Sequence, residues 1–142
     1  MFRKEYFQSE GEIENLVREF ESCSLPPEKF NHREHLAVVA LYLKGMTEEE
    51  ATNRMRAGLH NYLDAHVGDR QKYHEAVTVF WVKLVRERLE AAGRHRPFAE
   101  AVNEVVEFCG DSELIFEYYS RELIESGEAR LGWVEPDLKQ LD

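Results

Sequence analysis

Apolar side chains recur at helical spacing along almost the whole chain. Ile13, Leu16, Val17 and Phe20 fall at i, i+3, i+4 and i+7 and predict a first helix. It must stop before Pro26-Pro27, because proline has no amide hydrogen to donate and its ring crowds the preceding turn. Asn31, with Glu34 three residues on, has the pattern of a capping box and opens a second helix, whose apolar face is Leu36, Val39, Ala40 and Leu43. Gly45 ends it. Thr47 and Glu50 repeat the box and start a third helix, with Ala51, Met55, Leu59, Tyr62 and His66 on one stripe, closed by Gly68-Asp69.

The fourth segment, from about Arg70 to Ala92, is apolar almost all round through Val77, Val79, Phe80, Trp81, Val82, Leu84 and Val85, the pattern of a helix at the centre of a bundle. The β-branched and aromatic run from Ala76 to Val82 would also suit a strand. Its flanks continue the 3.6 period and no partner strand is visible, so we read it as helix. After a polar connection, Gly93 to Pro97, a fifth helix carries Phe98, Val102, Val105 and Val106, and a shorter sixth carries Leu114, Ile115 and Tyr118. Gly127, Gly132 and Pro136 interrupt the rest, where Leu131, Trp133, Val134 and Leu138 are expected to pack as an extended arm. The fold class that follows is all-α: one compact bundle of about six helices over residues 1–142, with 127–142 as an irregular tail packed on it.

Composition narrows the function. With 142 residues, 43% of them apolar, the chain can build a single real core. A net charge of -10, from 28 acidic against 18 basic residues, repels phosphate backbones and anionic membrane surfaces, so neither nucleic acid nor membrane is an expected partner. The start, Met1 to Gln8, lacks the apolar region of a secretory signal, and no later run reaches the roughly 20 apolar residues needed to span a bilayer. A cytoplasmic protein is expected. Cys23 and Cys109 have neither disulfide-framework nor zinc-site spacing. Phe2, Tyr6 and Phe7 read as exposed aromatics that could meet a second subunit, although the sequence leaves the oligomeric state open.

Chemistry concentrates in the histidines. His95 and His60 sit among polar neighbours and are set aside as solvent-exposed. His32 and His35, three residues apart, can face one region from the first turn of the second helix, where the positive end of the helix dipole keeps imidazole neutral. His74 is expected one turn into the fourth helix, buried on the stripe of Val77, Thr78, Trp81 and Val85, with Thr78 as one hydrogen-bond partner. Together, His32, His35 and His74 could bind one divalent metal: zinc with an open position, or iron or manganese with added carboxylates. His66 is a further candidate ligand. Glu75 points about 100° away from His74 and suits an acid/base or supporting role, paired to Arg33 or Arg56. Tyr73, Thr78 and Trp81 would wall the pocket, with Tyr42 and Tyr62 adding aromatic surface.

Two other readings use the same residues. The histidines could line a metal-free pocket for a small organic ligand or substrate, or they could merely staple helices two and four. His32-x-x-His35 lacks the spacing and internal glutamate of a zinc-protease helix, and the chain has no nucleophile elbow or Gly-rich phosphate loop. Whether the protein is an enzyme is left open by the sequence.

The segments Phe30 to Leu36, Tyr42 to Ala51, Tyr73 to Thr78 and Val134 to Leu138 resemble those of a group of small, all-helical bacterial proteins of uncharacterised function. That group carries an aromatic-x-His-x-x-His-Leu element, a Tyr-His-Glu-Thr-like element and a Pro-Asp-Leu tail. The resemblance covers roughly Phe30 to Leu138 and implies roles for His32, His35, His74 and Glu75 without implying an activity. The chain departs from the pattern at Ala76, where the group often has Thr, which leaves Thr78 to supply any hydroxyl.

Overall fold

In the computed structural model, which describes residues 6–93 and 95–141, capping chemistry sets most of the helix boundaries. The Ser9 hydroxyl accepts the Glu12 amide and opens α1 (Glu10–Glu21). That helix ends on Cys23, held at φ 61° in the left-handed region that favours glycine. A 3₁₀ turn at Pro27–Lys29 leads to α2 (His32–Gly45), where the Glu34 carboxylate accepts the Asn31 amide at 2.9 Å. Thr47 and Glu50 cap each other's amides, at 3.1 and 3.0 Å, to open α3 (Glu48–His66).

A second 3₁₀ turn, Arg70–Lys72, precedes α4 (Glu75–Ala92), which Gly93 terminates with φ 86°. Next come α5 (Phe98–Cys109), a 3₁₀ turn at Ser112–Glu117, and two short helices, α6 (Arg121–Ile124) and α7 (Gly127–Leu131). The fold is all-α, with no strand among the described residues. No described helix is long and apolar enough to cross a membrane.

The centre is α4, as its apolar circumference requires. It packs against α2, α3, α5 and α7, and Phe80, Val82, Leu84 and Val85 are fully buried. The start of the segment differs from expectation. Helix begins at Glu75 rather than near Arg70, which makes His74 the N-cap instead of an interior residue. Residues 127–131 are also not part of an extended arm but form α7. Beyond it, Trp133 and Val134 do pack on the core, whereas Leu131 and Leu138 face solvent.

Both ends of the described residues are held by hydrogen bonds. The Tyr119 hydroxyl donates to the Val134 carbonyl, Asp137 accepts the Ser120 amide, and the Leu138 and Lys139 amides donate to the Tyr118 carbonyl. At the other end, the side-chain oxygen of buried Asn103 accepts the amides of Tyr6 and Phe7, and its nitrogen donates to the Phe7 carbonyl. Phe7 is thereby buried and Tyr6 half-buried, so neither is the exposed aromatic expected. Phe2 lies outside the described residues.

Candidate functional site

The first turns of α2 and α4, the inner face of α3, the Ser112–Glu117 turn and α6 surround a cavity of about 640 Å³. Its walls are chiefly aliphatic and aromatic: Phe30, Leu36, Val39, Met55, Leu59, Tyr62, Val77, Trp81, Ile115 and Ile124. Few polar side chains reach it. They are His32, His35 and His74, with Tyr73 and Thr78, and at the solvent edge Lys72, Ser112 and Glu113. His32, His35, His74, Tyr73, Thr78 and Trp81 therefore meet in one place, as the sequence predicts.

The three histidines differ sharply in what their nitrogens are free to do. His74 is fully committed: its Nδ1 accepts the Val77 amide as the helix cap, and its Nε2 donates to the Ile124 carbonyl at 2.7 Å. This is a neutral imidazole with no lone pair to offer. Thr78 is not its partner, because the Thr78 hydroxyl donates to the His74 backbone carbonyl at 3.0 Å. His32 Nε2 donates to the Cys109 carbonyl at 2.8 Å, and the ring sits edge-on to Trp81 with centroids 4.5 Å apart. Burial holds its pKa below the usual histidine value, against the raising effects of that carbonyl and of Asp111.

His35 is the exception. Its ring stacks on Phe30, with centroids 3.9 Å apart and planes 9° from parallel, and neither nitrogen has a hydrogen-bond partner among the described residues. No described side-chain nitrogen or oxygen is both buried and unpartnered. The unpartnered His35 nitrogens are therefore not sealed in the core, and the ring that carries them lines the cavity. Desolvation, with a smaller contribution from His32, pulls its pKa down to about 4, so the ring is neutral near pH 7 and offers one donor and one acceptor.

The histidines share a cavity without forming a ligand set. Among the described residues, no group of three or more His, Cys, Asp or Glu side chains could hold a metal ion. With His74 saturated, the three-nitrogen shell expected for zinc, and the carboxylate-supplemented shell for iron or manganese, are not assembled.

Glu75 is likewise occupied. It receives Arg56 through two bonds, at 2.8 and 2.5 Å, and the Tyr73 hydroxyl at 2.6 Å, and it does not line the cavity. The Arg56 bonds hold its carboxyl below the usual range despite burial. A carboxylate so engaged is a poor proton acceptor, and it holds the Tyr73 hydroxyl by a hydrogen bond. Arg56 is the predicted partner, while Arg33 pairs with Glu34. Tyr42 lies away from the cavity, donating to Glu21, whereas Tyr62 lines it.

His66 is exposed, outside the cavity, and bonded to the Cys23 carbonyl. His60, expected in solvent, is half-buried edge-on to Tyr73. Cys23 and Cys109 are free thiols, and burial pushes that of Cys109 up to about 12.

Sequence reasoning missed Lys72, Ser112, Glu113 and Ile124. All four come from 3₁₀ turns or a one-turn helix, where no apolar period marks an inward face. Phe30 had a signal: an aromatic residue just before the Asn31 cap is placed to fold back over the first turn, where His35 lies. No family model matches the chain, and no curated protein or solved structure does either.

Proposed function

We propose that this protein binds a small, largely apolar organic molecule in the cavity between α2, α3 and α4, with His35 as the polar anchor. The observation that carries the reading is the state of His35: neutral, stacked on Phe30 in the wall of the cavity, and with neither nitrogen partnered among the described residues. A bound group that both donates and accepts would satisfy it. The volume of about 640 Å³ lies within the roughly 300–1,000 Å³ usual for small-molecule pockets, and apolar walls with a few placed polar groups are their usual construction. Tyr73, fixed by Glu75 and Arg56, and Trp81, set against His32, supply rigid aromatic walls. A net charge of -10 argues against a nucleic-acid partner, and two free cysteines fit a reducing compartment such as the cytoplasm.

The neutral probe N-phenyl-1-naphthylamine tests this reading. Its emission should rise saturably with one equivalent of protein, and Val77→Phe, which fills the cavity from α4, should abolish the rise while leaving the helical circular dichroism intact. A folded wild-type protein that binds no probe, or a Val77→Phe variant that binds it equally well, would overturn the proposal.

A further inference from the structure

Building on that reading, we infer that the ligand is an amphipathic monocarboxylate, its body along the Phe30 and Trp81 walls with a hydroxyl at His35 and its carboxylate at Lys72. Lys72 ends the 3₁₀ turn Arg70–Lys72, lines the cavity and is solvent-exposed. Acids outnumber bases in this chain by 28 to 18, and several cations here are taken up, as in Lys83–Glu48, Arg54–Glu21 and Arg56–Glu75. Even so, no acid or hydrogen-bond acceptor engages the Lys72 ammonium among the described residues. An uncompensated cation at the edge of an apolar cavity fits an anion carried on an apolar body.

Helix direction adds to this independently. Two long helices, α2 of 14 residues and α4 of 18, turn their first turns to the same cavity, through His32 and His35 and through His74, Val77 and Thr78. Both positive dipole ends therefore act on one space. The carboxylates of those turns do not line the cavity, and each has a cation beside it: Glu34, which caps α2 through the Asn31 amide, pairs with Arg33, and Glu75 pairs with Arg56. Glu113 is the one carboxylate on the described lining, and Arg121 stands 3.6 Å from it. The overall charge of -10 is spread over the surface and is screened beyond about 8 Å at physiological salt, leaving the local field to decide. A single lysine matches a single carboxylate better than a phosphate dianion.

Displacement of N-phenyl-1-naphthylamine from the full chain at pH 7.5 separates the possibilities, with dodecanoate, dodecan-1-ol and dodecylamine as competitors of equal chain length. Dodecanoate should compete about three- to fivefold more strongly than dodecan-1-ol, the range an ion pair at a solvent-exposed lysine supplies. Lys72→Gln should bring dodecanoate down to the alcohol's level in the same variant, and Lys72→Arg should preserve the preference. Equal competition by acid and alcohol, a preference for the amine, or a Lys72→Gln variant that still favours the acid would overturn the assignment of charge while leaving the cavity reading standing. Failure of the probe itself to bind would overturn both.

Discussion

Mild acid should destabilise this fold through one ring, and replacing that ring should remove the effect. In the unfolded chain His35 titrates at its ordinary value of 6.5, whereas desolvation lowers it to about 4 in the native cavity wall. Between those values a proton binds the unfolded chain and not the native one, so the stability is intact above pH 6.5 and is lost as pH falls towards 4. Integrating that linkage gives a loss of about 2 kcal/mol at pH 5 relative to neutral pH, rising to about 3.4 kcal/mol below pH 4. His32 is shifted in the same direction, and the bonded carboxylates Glu75 and Asp137 lose stability at lower pH, so wild type alone would report a sum. The informative quantity is the gap between wild type and His35→Gln, measured by urea unfolding with tryptophan emission at pH 7.5, 6.5, 5.5 and 5.0. Whatever its value at pH 7.5, that gap should move by about 2 kcal/mol in the variant's favour by pH 5, since glutamine keeps a donor and an acceptor but has no proton to gain. A gap constant to within about 0.5 kcal/mol across the series would mean that His35 titrates as in water, and the argument for a desolvated, cavity-facing ring would fail.

Gly58→Ala should destabilise the protein by about 1–3 kcal/mol, against the normal preference for alanine in a helix, because its Cβ would lie 2.6 and 2.8 Å from ring carbons of Phe20. Phe20 is fully buried and packed on Phe30 and Tyr62, and an unchanged or raised urea midpoint would show that the ring yields freely. Arg56→Ala should cost about 1–3 kcal/mol by leaving the Glu75 carboxylate, 13% exposed, without its guanidinium. Adding Glu75→Gln should recover part of that loss; additive losses in the double variant would show that the pair does not act as a unit.

How far the fold could be read from the sequence depended on how local its causes were. The five long helices follow from apolar period and caps, and the two boxes at Asn31/Glu34 and Thr47/Glu50 mark the starts of α2 and α3 because each is made by residues three apart. Cys23 shows the opposite case: it ends α1 in a left-handed conformation without being glycine, so no residue type announced the turn. The termini were unreadable for a different reason. Asn103 clasps Tyr6 and Phe7 across more than 90 positions of chain, and the tail is fastened to Tyr118, Tyr119 and Ser120 by bonds that only the assembled bundle brings into range. The short α7 lies between Gly127 and Gly132, whose usual meaning as breakers hides a single helical turn.

The site shows how much chemistry can turn on one helix boundary. Placed a turn inside α4, His74 would be a buried imidazole seeking partners, with a lone pair available to a metal, and the three-histidine expectation rests on that placement. Helix in fact begins one residue after it, at Glu75. An N-cap side chain accepts an amide that the helix cannot satisfy for itself, so Nδ1 is spent on Val77, and the carbonyl of Ile124 takes the remaining ring hydrogen. Periodicity could not have separated the two placements, because the stripe of Val77, Trp81 and Val85 extrapolates back through position 74 whether or not that residue is helical. Once His74 is saturated, and His32 has given its own hydrogen to Cys109, His35 is the histidine in the cavity with both nitrogens uncommitted. The motif thus leads to a cavity whose wall holds a neutral, unpartnered imidazole among apolar side chains, and the proposed ligand is one that answers to that ring.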